Sequence, residues 1–176
     1  MKRIDLHYCN EFPWTPLSGW AGAKSVGWVL KFTKSGQPMR PDSVSHPFLV
    51  QRKKWCLMHV HFQKVDLLFA TPQELRLFLE VMGRNPLPSG PSLLEGWPFP
   101  GRPNAHWLSR LPKRAKPWKY RQAICRYLSQ SPDVKCFLAF YENEPVKFEF
   151  EYVFDTCIEA YKAYQLTFST KKDVTT

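Results

Sequence analysis

The sequence predicts an α+β domain, a mostly antiparallel sheet of about five to seven strands with about three helices packed on one side. Three observations predict it. Apolar and polar residues alternate in short runs at residues 26–32, 55–62 and 146–154, which is the two-residue period of a half-buried strand. A helix-start signature followed by an apolar stripe begins at Thr71, and the sixteen prolines against eight glycines are spread widely enough that the elements must be short. With 176 residues, thirteen Phe, seven Trp and seven Tyr, the chain has the apolar surface for one hydrophobic core. It is read as a single domain, 1–176: a strand-rich front half 1–84, a Pro/Gly-rich connection 85–104, a helix-hairpin-helix back half 105–168 and a frayed tail 169–176.

A first short strand is expected at residues 4–8, followed by irregular packing around Phe12, Trp14 and Trp20. In the next, residues 26–32, Val26, Trp28, Leu30 and Phe32 share one side, and residues 34–37 form a turn. Further strands are read at 48–51, 55–62 and 66–70, paired antiparallel through short connections. The first helix is the best specified. Thr71 supplies the cap hydroxyl, Pro72 the first helical position, Glu74 the third-position acid, and Leu75, Phe78, Leu79 and Met82 the buried stripe before Gly83.

A second helix starts at Pro117 and buries Tyr120, Ile124, Tyr127 and Leu128. Residues 134–141 and 146–154 then read as a hairpin whose second strand turns Val146, Phe148, Phe150, Tyr152 and Phe154 inward. Asp155 is assigned as the cap of a last helix carrying Ile158, Tyr161 and Tyr164.

Met1 to Leu6 lack an apolar run of secretory type, and no stretch approaches the roughly 20 apolar residues of a membrane span, so a cytoplasmic protein is expected. Cys9, Cys56, Cys125, Cys136 and Cys157 are odd in number and contain no CxxC pair, which predicts reduced thiols, most of them buried as small apolar residues.

The formal charge is +10, and its distribution carries the functional argument. No acid lies between Glu95 and Asp133, whereas Arg102, Arg110, Lys113, Arg114, Lys116, Lys119, Arg121 and Arg126 all do. On a helix from Pro117, Lys119 and Arg126 align seven residues apart, with Gln122 between them and Trp118 on the same outward half. Cations beside an exposed Trp suit phosphate neutralisation and base stacking. Arg110, Lys113, Arg114, Lys116, Trp118, Lys119 and Arg126 are therefore the candidate nucleic-acid contacts. Arg52, Lys53 and Lys54, beside Trp55, form a smaller second cluster that would extend the first if the two adjoin.

His59 and His61, two apart in a strand, project to one side and are candidate metal ligands. A complete site needs further donors, for which His7, Cys9 or His46 would have to approach. No metal or other cofactor is assigned from the sequence, and the residues contain no nucleophile elbow, phosphate loop or zinc-protease signature. The sequence thus predicts a small basic accessory protein that binds DNA or RNA through backbone charge and stacking, without strong base readout. The alternatives are a protein-binding module or inhibitor that meets an acidic protein surface, with Trp97 and Phe99 of the proline-rich connection as anchors, and a metal-dependent enzyme. His106 and Ser109 are read as a helix cap or phosphate contact, with Trp107 and Leu108 anchoring the junction.

Overall fold

The computed structural model describes residues 2–45, 52–94 and 106–172, with side chains as far as residue 167. The strand expected at 48–51, together with His46, Trp97, Phe99 and Arg102, lies outside the described residues. The fold is α+β, but its strands form two three-stranded antiparallel sheets instead of one larger sheet, and the described residues contain six helices, not three. The chain divides into two compact units, Met1–Gly22 with Lys53–Val146 and Ala23–Arg52 with Lys147–Thr176.

In the first unit the sheet order is β1 (Lys2–Cys9), β4 (Trp55–Phe62), β5 (Val65–Phe69). Cys56, Met58, Val60 and Phe62 alternate inward along β4, and Val65, Leu67 and Phe69 continue that face on β5. The β4–β5 connection is a two-residue turn with Gln63 and Lys64 at φ of 49° and 64°, the left-handed pair that such a hairpin needs.

Helix α1 (Pro72–Gly83) starts where the capping signature places it, with Thr71 Oγ1 accepting the Glu74 N–H at 3.3 Å, and buries Leu75, Phe78, Val81 and Met82. The connection after it includes one short helix, α2 (Gly90–Leu93). In α3 (Trp107–Arg110) Trp107 and Leu108 are buried as anchors, and His106 caps the turn by accepting the Leu108 N–H on Nδ1 at 3.2 Å. Helix α4 (Trp118–Gln130) buries Tyr120, Ile124 and Leu128.

The expected hairpin strand at 134–141 is instead helix α5 (Pro132–Glu142). Pro132 opens this helix as well as ending α4, Asp133 lies in its first turn, and Val134, Phe137 and Tyr141 bury one face at helical spacing. The Tyr141 hydroxyl locks α5 onto the sheet, accepting from Cys56 N–H at 3.0 Å and lying 2.7 Å from the Ala70 carbonyl.

The second unit holds β2 (Val26–Val29), β3 (Asp42–Ser45) and β6 (Val153–Phe154) in the order β3-β2-β6. The turn at residues 34–37 is present, closed by Thr33 N–H to Gln37 O at 2.8 Å with Gly36 at a φ of 72°. Residues 146–150 keep the alternation, with Val146 buried and Phe148 and Phe150 half-buried between exposed neighbours, but join no ladder among the described residues. The expected strand reduces to β6, because Tyr152 sits at a φ of 60°, is exposed and breaks the pleat. Helix α6 (Cys157–Lys172) is capped by Thr156, not Asp155: Thr156 Oγ1 accepts the Glu159 N–H and the Glu159 carboxylate accepts the Thr156 N–H, both at 3.2 Å. Asp155 pairs with Lys24 instead. Ile158 on α6 is 68% exposed. Of the cysteines only Cys56 is buried, and Cys136 is exposed.

Candidate functional site

Two polar constellations stand on the first unit. The first is the cationic stretch. Arg110 ends α3, Lys113 and Arg114 lie in the 3-10 turn Lys113–Ala115, and Lys116 follows it, half-buried. Trp118, Lys119, Gln122 and Arg126 are exposed on one side of α4, opposite Tyr120, Ile124 and Leu128. Among the described residues, Arg110, Lys113, Arg114, Lys116, Lys119 and Arg126 make no ion pair with a carboxylate. Arg114 donates to the Lys64 backbone carbonyl.

Three anchors hold this surface in shape. Arg114 reaches the β4–β5 turn at Lys64, and the Tyr120 hydroxyl donates to Phe62 O at 3.2 Å. Burial raises the pKa of that phenol to about 12, so it remains a donor. The third anchor is Arg121, among the described residues the one cation of the stretch that is buried. Its Nε donates to Lys116 O at 2.8 Å, and Nη1 donates to Met82 O at 2.9 Å and to Arg84 O, which satisfies carbonyls at the C-terminal end of α1. Its guanidinium also lies 4.8 Å from the Trp118 ring centroid, so that partly exposed ring is steadied by a cation–π contact.

Sequence reasoning counts Arg121 in the acid-free cationic stretch without assigning it as a contact, and its structural role became visible only with α1 in place. It also missed Lys64, an exposed cation that the Arg114 contact brings beside the stretch. Lys53 and Lys54 are exposed, but they precede Trp55, while Tyr120 attaches at Phe62 and Arg114 at Lys64. The length of β4, roughly 23 Å at the usual strand rise, separates them, so these two do not extend the main surface. Arg52 belongs to the second unit.

The second constellation occupies the outward face of the β1-β4-β5 sheet. Cross-strand register sets Asp5 opposite His59, and His61 opposite both Arg3 on β1 and Asp66 on β5. His61 Nδ1 is 2.6 Å from Asp66 Oδ1, His59 Nε2 is 3.8 Å from the same oxygen, and His61 Nε2 is 3.3 Å from Asp5 Oδ2. Arg3 Nε donates to Asp5 Oδ2 at 2.8 Å. The His59 and His61 rings lie 3.9 Å apart, and His7 stands 6.5 Å from His59. Desolvation lowers the His59 pKa, helped by the neighbouring His61. The partners that the sequence reading did not weigh are the carboxylates. Among the described residues the donors that converge are His59, His61 and Asp66, without His7 or Cys9, and His46 lies outside the described residues.

Elsewhere on this unit α1 and α5 flank an open groove of about 610 Å³ lined in part by Pro72, Leu138, Pro145 and Val146. No helix among the described residues is long and apolar enough to cross a membrane. Comparison with protein families, with curated proteins and with solved structures gives no match.

Proposed function

We propose that this chain binds nucleic acid, without strong base readout, on the surface formed by Arg110, Lys113, Arg114, Lys116, Trp118, Lys119 and Arg126. One observation carries the reading: these cations follow one another along three consecutive elements, and no described carboxylate neutralises them. A basic face meant only for solubility intersperses charges of both signs, whereas a phosphate backbone needs positive groups left available. Trp118, 36% exposed and held by Arg121, adds a surface on which a base can stack. Lys64 enlarges the same surface.

The test is fluorescence anisotropy with labelled single-stranded DNA and RNA across a salt series, on the parent chain and on a Lys116→Ala, Lys119→Ala, Arg126→Ala triple variant. Each lost phosphate contact should flatten the plot of log affinity against log salt by about 0.7, so the triple variant should lose about 2 units of slope for every sequence tried. No binding at about 50 mM salt, or an unchanged slope in the triple variant, overturns the proposal. Absence of binding returns these cations to the alternative in which they steer an acidic protein partner.

A further inference from the structure

We infer that the outward face of the β1-β4-β5 sheet is a binding site for a first-row divalent metal ion, Zn²⁺ in chemical type, with His59 Nε2, His61 Nδ1 and Asp66 Oδ1 as ligands. Nothing in the nucleic-acid reading requires it, and its test is independent of that reading. The three donor atoms lie within 4.8 Å of one another. Bonds of about 2.0–2.2 Å to a tetrahedral ion set donors roughly 3.4 Å apart. The His61–Asp66 pair at 2.6 Å must open slightly and the His59–Asp66 pair at 3.8 Å must close slightly. Side-chain rotation at the surface supplies both movements without displacing the strands.

The surroundings of His61 make this more than a chance meeting of polar groups. With Nδ1 turned toward Asp66, the opposite nitrogen Nε2 faces Asp5 Oδ2 at 3.3 Å. With a metal on Nδ1 the ring proton is on Nε2, where Asp5 can accept it, the carboxylate–imidazole–metal relay that raises the basicity of the ligating nitrogen; Arg3 Nη2 stands 3.5 Å from the same Nε2. Asp5 is held in turn by Arg3 at 2.8 Å. The two carboxylates outweigh that guanidinium locally, which offsets the positive charge of the chain as a whole.

Two imidazoles and one carboxylate are a borderline donor set, suited to Zn²⁺, Fe²⁺ or Co²⁺ and poorly suited to Mg²⁺ or Ca²⁺, which require oxygen. The rigid part of the site is β4, whose inner face is buried at Met58, Val60 and Phe62. The outer face is half-open, with side-chain exposures of 29% for His59, 26% for His61 and 67% for Asp66. Coordination positions beyond the three protein ligands are thus open to water.

Metal-stripped protein titrated with Zn²⁺ in a calorimeter, and with Co²⁺ while its visible absorption is recorded, tests this directly. We expect one ion per chain and the intense bands of four-coordinate cobalt. His61→Ala and Asp66→Asn should each weaken Zn²⁺ binding at least tenfold, and Asp5→Asn about tenfold through loss of the relay. Asp66 is exposed, so its variant keeps the fold, which circular dichroism verifies. Lack of stoichiometric uptake by the parent chain overturns the inference. So does uptake that survives Asp66→Asn unchanged, because imidazoles alone then bind an adventitious ion. An Asp5→Asn variant with parental affinity removes the relay from the site.

Discussion

Glu74 should make the stability of the first unit fall as pH rises, and removing its charge should abolish that fall. The side chain is fully buried at the third position of α1. Its Oε1 accepts from Ser18 Oγ at 2.7 Å, and Oε2 accepts from Thr15 Oγ1 at 2.8 Å and from Ala70 N–H at 2.6 Å. Those donors favour the ionised form and burial opposes it; burial prevails, lifting the pKa from 4.5 to about 7. The folded chain therefore holds this proton more tightly than the unfolded chain. The stabilisation is fully present below pH 4.5 and is lost as pH rises through about 7. A gap of about 2.5 units corresponds to roughly 3 kcal/mol, of which about 2 kcal/mol should be lost between about pH 5.5 and about pH 8.

Glu74→Gln isolates the effect. The amide oxygen can accept from Thr15 and Ala70 while the NH₂ donates to Ser18 Oγ, so the variant mimics the protonated acid at every pH. Urea unfolding of both proteins at the two pH values gives a stability difference that should move by about 2 kcal/mol in favour of the variant at the higher pH. His59 and His106, whose pKa values burial lowers, act with the opposite sign, since their contribution is lost as pH falls below 6.5. Both occur in the two proteins and cancel in the difference. A difference that stays flat across this range refutes the reasoning.

Arg121→Met should cost about 3 kcal/mol in urea unfolding, because the carbonyls of Lys116, Met82 and Arg84 lose their donor together. A loss below about 0.5 kcal/mol, the ordinary surface range, counts against its clamping role. Tyr141→Phe removes the hydroxyl that bridges the Cys56 N–H and the Ala70 carbonyl beneath α5. It should lower the stability by about 1–3 kcal/mol, and an unmoved unfolding midpoint would show that the hydroxyl bridge is idle.

How much of the fold was legible depended on whether a local signal competed with a long-range one. Helix α1 was readable because Thr71, Pro72, Glu74 and Gly83 mark both ends and the stripe between them repeats at helical spacing. Strand β4 was readable because Met58, Val60 and Phe62 alternate with Leu57, His59 and His61. Helix α5 was misread because residues 136–141 form a near-continuous apolar run, in which strand and helix periods coincide. The start signal at Ser131, Pro132 and Asp133 is of the same kind that located α1, but in sequence the same proline serves equally as the stop of the helix before it. With α5 a helix, 146–154 loses its hairpin partner, and among the described residues its ladder is the two-residue pairing of β6 with β2. The single large sheet dissolves for the same reason.

The two candidate sites were legible to different depths for the same physical cause. A run of cations is a property of the chain, so Lys113 to Arg126 could be recognised before folding. Which of them is consumed internally is a property of packing, and only the end of α1 reveals that Arg121 serves three carbonyls while its neighbours remain available. The histidine cluster required register. Asp66 follows from the hairpin alone: with Gln63 and Lys64 as the two turn residues, Phe62 pairs with Val65 and His61 must face Asp66. Asp5 does not follow from any local feature. The pairing of β1 with β4 is set by burying Ile4 and Leu6 on the side of Val60 and Met58, and a slip of one residue would turn Asp5 inward and dismantle the relay. The metal chemistry proposed for the outer face is therefore coupled to the same register that builds the core beneath it.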